Sequence, residues 1–155
     1  MSNGESTSGG PVVTDGPSTA RLLAMIVQGE GCEPLRIEIA TAAERDVARR
    51  TIIVLKEGTR YSISVEILTG NSPLEKARCT KVLSMRGLEP QSDSVLLEAL
   101  APSSEPYTVL LYPAEKAPYG WPGSNTFKVR SSISVDGEPL ADAEWSWLLR
   151  TTEEW

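Results

Sequence analysis

From Arg21 to the end of the chain, apolar residues fall in short runs or at every second position, and turn-forming residues break the runs. Tyr61, Ile63, Val65 and Ile67 alternate with Ser62, Ser64 and Glu66, which sends one side of a strand to a core and the other to water. Leu35, Ile37 and Ile39 alternate with Arg36 and Glu38 in the same way. The aliphatic run Leu22–Val27 ends at Gln-Gly-Glu-Gly, and Thr51–Leu55 ends at Lys-Glu-Gly. Further runs cover Lys81–Met85, Val95–Leu100, Tyr107–Leu111, Thr126–Val135 and Glu144–Thr151. Short strands at this spacing, about nine in all, predict an all-β sandwich. Asp136-Gly137, between two of the runs, is a hairpin-turn signal. Only Ala42–Arg50 has helical character: Thr41 can cap it, with Glu44 three residues on as in a capping box. The segment reads as one or two turns of helix or as an extended linker.

Residues 1–20 break the pattern. They are rich in Gly, Ser, Thr and Pro and nearly devoid of apolar groups, so burial cannot offset the entropy of ordering them. They predict a short flexible N-terminal arm, or a segment that folds on a partner, ahead of a single domain over residues 21–155. A chain of 155 residues is long enough for one substantial core. The longest apolar run, Leu22–Val27, is far short of the roughly 18 residues a bilayer span needs, and nothing resembles a signal peptide. A cytoplasmic protein without stable membrane insertion is expected.

Charge and rare residues narrow the chemistry. The net charge is −6, which disfavours nucleic acid and favours basic partners. Cys32 and Cys79 lie far apart without a CxxC motif and are expected to be free thiols. The sequence has no histidine, which removes Ser-His-Asp and Cys-His catalysis and imidazole zinc sites. The carboxylates Glu115, Asp136, Glu138, Asp142 and Glu144 fall in turns and on polar strand positions, with no pairing suited to acid–base work. Neither enzyme activity, nor a cofactor, nor a metal is expected.

Two aromatic segments stand out. YPAEKAPYGWPGS, residues 112–124, holds three prolines and predicts a rigid connection between strands rather than a strand, with Tyr119 and Trp121 as contact surface. In EWSWLLR, Trp145 and Trp147 are two apart, so on a strand both indoles share a face and Ser146 points away. That face is either an ordinary core or, since the chain has one phenylalanine and many small residues, the wall of a cavity for a long apolar ligand.

Several blocks resemble, in order, those of the Rho GDP-dissociation inhibitor family: VLKEG at Val54–Gly58 followed by Tyr61, PxEKAPxG at Pro113–Gly120, GSxxFKV at Gly123–Val129, and the closing EWSWxL with Trp155 beyond it. The resemblance covers roughly residues 21 to 155. It implies an immunoglobulin-like β-sandwich that takes a geranylgeranyl or farnesyl chain between its sheets, shielding the prenylated C-terminus of a Rho/Rac-type small GTPase. Such a protein extracts the GTPase from membranes and keeps a cytosolic pool, acting as a monomer. Carried over residue by residue, the prenyl-binding candidates are Ile53, Leu55, Phe127, Trp145 and Trp147. For the basic tail of the GTPase, the family presents neighbouring carboxylates before AP-x-G. Glu115 keeps the first, Lys116 replaces the second, and Asp136, Glu138, Asp142 and Glu144 are candidates to compensate from the neighbouring turn. Family members usually carry a longer N-terminal regulatory arm with helical segments that block nucleotide release; the first twenty residues show no such pattern. The competing reading is a filled β-sandwich that binds a protein through the Tyr119–Trp121 loop.

Overall fold

A computed structural model of the chain describes residues 20–85, 89–116 and 126–152, with backbone alone for 113–116. Among the described residues nine strands and one helix follow in chain order: β1 (Arg21–Gly29), β2 (Leu35–Glu38), α1 (Ala42–Ala48), β3 (Ile52–Lys56), β4 (Arg60–Leu68), β5 (Ala77–Ser84), β6 (Gln91–Leu96), β7 (Tyr107–Lys116), β8 (Thr126–Val135) and β9 (Glu138–Thr152). They form a four-stranded sheet, β2-β1-β4-β7, and a five-stranded sheet, β3-β9-β8-β5-β6. This is the two-layer sandwich that the alternating pattern predicts. All neighbours pair antiparallel except β3, which lies parallel to β9 at the sheet edge.

The alternation in β4 is obeyed throughout: Tyr61, Ile63, Val65 and Ile67 are buried while the residues between them are half-exposed. In β2 the expectation holds less well. Leu35 is 45% exposed, Ile37 is half-buried and only Ile39 is fully buried, because β2 is an edge strand that leaves the core at its Leu35 end. The helix is a real one of seven residues, and its capping box is complete: Thr41 Oγ1 accepts from the N–H of Glu44 at 3.1 Å, and the Glu44 carboxylate accepts from the N–H of Thr41 at 3.0 Å. Asp136 (φ 51°) and Gly137 (φ 83°) form the two-residue β8–β9 turn, as their sequence predicts.

Two expectations need correction. Residues 112–116 do not leave the sheet: β7 continues through Pro113 to Lys116. Proline is tolerated there because β7 is an edge strand and its pairing with β4 is irregular between Tyr61 and Ile63, so the missing N–H breaks no regular ladder. Residues 117–125, with Tyr119 and Trp121, lie outside the described residues, as do residues 1–19 of the proposed arm and Trp155. The second correction concerns Val95–Leu100. The strand is β6, Gln91–Leu96, a polar segment selected by its register on β5, while Leu97 and Leu100 are buried from the following loop. Strands β5 and β9 also begin earlier than their apolar runs, at Ala77 and Glu138, because backbone pairing with β8 extends past the hydrophobic stretch.

Candidate functional site

The register of the five-stranded sheet assembles the indole face. Ile53 of β3 lies beside Leu149 of β9, which lies beside Phe127 of β8; Trp147 pairs with Val129, Trp145 with Ser131, and Leu55 with Thr151. Since side chains alternate along a strand, these residues all enter the space between the sheets. Ile53, Leu55, Phe127, Trp145 and Trp147 are each at most 5% exposed and belong to one core cluster. The five prenyl-binding candidates are therefore brought together on one inner wall. The indole N–H of Trp145 points at Sδ of Met25, 3.2 Å away in the opposite sheet. Trp147 is completely buried, and its Nε1 has no hydrogen-bond partner among the described residues.

An apolar cleft of about 490 Å³ opens at the side of the sandwich, lined by Leu35, Ile37, Ala43, Val47, Ala48 and Thr51, with Arg36, Glu38 and Glu44 also in its walls. Its position follows from topology. Edge strands β2 and β3 belong to different sheets and are joined through α1, so this is the flank where the two layers separate. None of the five indole-wall candidates lines the cleft. It meets the interior through Ala48, a member of the core cluster, and Ile37, which packs against that cluster. The residue-level reading missed these positions; the signal was Val47, an aliphatic side chain on a short polar helix, 58% exposed.

α1, which forms one side of the cleft, is held by Arg45. Its Nη1 donates to the carbonyls of Ile39 and Ala40 at 3.1 Å each, and its Nη2 donates to Asp142 at 3.3 Å. Asp142 sits at φ 57° within an irregular stretch of β9, so this GTPase-binding candidate already has an intramolecular partner.

The far side of the interior is more polar. Lys81 of β5 is 9% exposed, and its Nζ lies 4.3 Å from the centroid of the Tyr112 ring in the other sheet. The Tyr112 hydroxyl in turn lies 3.6 Å from Sγ of Cys79, a fully buried thiol that desolvation pushes above its ordinary pKa.

The acidic candidates are not brought together. Glu115 pairs through its backbone with Tyr61, next to which Gly29 ends β1, and Gly29 adjoins Leu55. Asp136 and Glu138 are exposed at the β8–β9 turn, at the opposite end of the sandwich. The turn and the backbone of Glu115 thus lie at opposite ends of the sandwich; the side chain of Glu115 itself lies outside the described ones.

A family profile described as "RHO protein GDP dissociation inhibitor" matches residues 8–154. The chain belongs to the Rho GDP-dissociation inhibitor family. It is 22% identical over 137 residues to the Rho GDP-dissociation inhibitor of Schizosaccharomyces pombe, covering 88% of this chain and 66% of that protein. It is 23% identical over 135 residues to Rho GDP-dissociation inhibitor 3 of Mus musculus, covering 87% of this chain and 57% of that protein. The chain thus spans less than two thirds of the length of either relative. Among the described residues no helix is long and apolar enough to cross a membrane, and no group of three or more His, Cys, Asp or Glu side chains is placed to hold a metal.

Proposed function

We propose that the chain is a non-enzymatic Rho GDP-dissociation inhibitor that binds the prenylated C-terminus of a Rho/Rac-type small GTPase and keeps it in the cytoplasm. The observation that carries this reading is the family match over residues 8–154, and the apolar cleft at the β2–α1–β3 flank supports the lipid-binding part of it. The cleft's volume of about 490 Å³ falls within the range of roughly 300–1,000 Å³ usual for small-molecule sites. In the proposed path a farnesyl or geranylgeranyl chain enters over Leu35 and Val47, passes Ile37 and Ala48, and reaches Trp147 as the two sheets part. Tryptophan suits such a wall because it is large and rigid and loses little entropy on contact. Burial is worth about 0.8 kcal/mol per CH₂, so a prenyl chain contributes several kcal/mol even when partly covered, enough to compete with a bilayer for a singly lipidated protein.

The acidic balance supports the same partner, because Rho-type GTPases carry a basic stretch ahead of the prenylated cysteine. Glu115 at one end of the sandwich, and Asp136, Glu138 and Asp142 at the other, are proposed to act on basic segments separately. Exposed pairs of this kind govern association rate and salt sensitivity more than affinity.

Titration with a farnesyl- or geranylgeranyl-cysteine peptide, read by tryptophan fluorescence, tests the proposal. A saturable shift supports it, accompanied by retention of prenylated but not unprenylated GTPase. An unchanged spectrum and no retention would leave the filled sandwich, binding a protein surface, as the better reading.

A further inference from the structure

The outer face of the five-stranded sheet carries a charge opposite to that of the chain as a whole. Across β3, β9 and β8 the in-register neighbours Ile52, Leu148 and Lys128 form one row, and Val54, Arg150 and Thr126 form the next. Lys56 extends this patch on β3 and Arg130 on β8. Ile52 and Val54 are 47% and 46% exposed, and the four cations are exposed as well. Arg130 has Glu144 at 3.6 Å, whereas Lys56, Lys128 and Arg150 form no ion pair with a described residue.

Like charges gathered on one sheet face repel one another, and the exposed branched side chains beside them gain nothing from water. In a chain of net charge −6 this concentration is local and is not a consequence of composition. Exposed aliphatic side chains standing beside Lys and Arg on one sheet face match an anionic bilayer: the apolar groups meet the acyl boundary while the cationic heads stay at headgroup level. Nucleic acid is a poorer match, because the acidic remainder of the molecule repels it. The face also adjoins the cleft, since Thr51, the residue before Ile52, lines that cleft.

We propose that this face, centred on Ile52, Val54, Lys128 and Arg150, docks the protein on an anionic lipid surface and so presents the cleft flank to the headgroups. Vesicle docking needs neither the cleft nor a GTPase, so this proposal stands or falls separately from the lipid-carrier reading.

The test is flotation of the full chain with phosphatidylcholine vesicles with and without phosphatidylserine, at low and physiological salt. The expected result is retention on phosphatidylserine vesicles alone, weakened by salt. Lys128→Glu with Arg150→Glu should reduce it at least about tenfold, since each cation near the surface contributes severalfold to binding. Arg21→Glu with Arg60→Glu, an equal charge change at exposed positions of the other sheet, should have a much smaller effect. The proposal is overturned by absent retention, by equal retention on neutral vesicles, or by equal losses in the two double variants. An unshifted melting temperature in each variant confirms that folding is intact.

Discussion

Nε1 of Trp145 lies 3.2 Å from Sδ of Met25, a contact that runs from β9 in one sheet to β1 in the other. Two positions further along β9, the indole of Trp147 is just as deeply buried but its N–H has no described partner. Neighbouring tryptophans on one wall thus stand in different positions: one is a tie between layers, the other has an N–H without a partner among the described residues.

Trp147→Phe is expected to cost less stability than Trp145→Phe. Leaving a buried donor unsatisfied costs about 1–3 kcal/mol, and removing it offsets part of the lost volume. Trp147→Ala, which empties the site, should cost about 3–5 kcal/mol. Urea denaturation of the three variants measures the order. A Trp147→Phe variant at least as unstable as Trp145→Phe would show that the Trp147 indole N–H is satisfied in solution.

Leu35→Asp and Val47→Asp are expected to leave the fold nearly untouched, within about 0.5 kcal/mol, because both side chains are about half exposed. Each places a carboxylate in the wall of the apolar cleft, and affinity for a prenyl-cysteine peptide should fall by about tenfold or more. Unchanged affinity in both variants would remove this flank from the lipid path.

Arg36 reaches from β2 across β1 to Glu66 on β4 at 2.8 Å, and this hydrogen-bonded pair holds the Glu66 carboxyl below its ordinary pKa. A carboxylate depressed in the folded state stabilises above its unfolded pKa of about 4.3, and that contribution disappears as pH falls through the lower folded value. Glu66→Gln should therefore be less stable than the native chain at pH 7, by no more than about 1 kcal/mol at so exposed a pair. The difference should close under acid conditions; thermal melts across pH 2–7 check it, and a gap independent of pH would contradict the pairing.

The two thiols should separate cleanly by reactivity. Cys32 is partly exposed, while Cys79 is fully buried, with its thiol pushed up by desolvation. Maleimide at neutral pH is expected to label Cys32 in the native state and Cys79 only after unfolding, as read by peptide mass spectrometry. Rapid native labelling of Cys79 would mean that the interior beside Tyr112 opens readily.

Much of this was written locally along the chain. Alternation at Tyr61–Ile67 placed four side chains inside, the Thr41–Glu44 box started the helix, and Asp136-Gly137 made the hairpin, since each depends on residues only a few positions apart. The Trp145–Trp147 spacing likewise put both indoles on one face. Other features depend on which strands become neighbours. Pro113 could remain in a strand only because β7 lies at an edge, and the polar segment Gln91–Leu96 became a strand only because β5 offered it a partner.

The sequence by itself determined the sandwich class, the inner faces and the family blocks, because strand periodicity and turn chemistry are short-range properties. Tertiary structure alone decided that β2 and β3 are edge strands of separate sheets joined through α1, with an apolar cleft lined by β2, α1 and Thr51. It also set Glu115 and Asp136 at opposite ends and gathered Lys128 and Arg150 around Ile52 and Val54. Each of these joins residues far apart along the chain, and backbone pairing between distant strands, which no local pattern encodes, is what brings them together or keeps them apart.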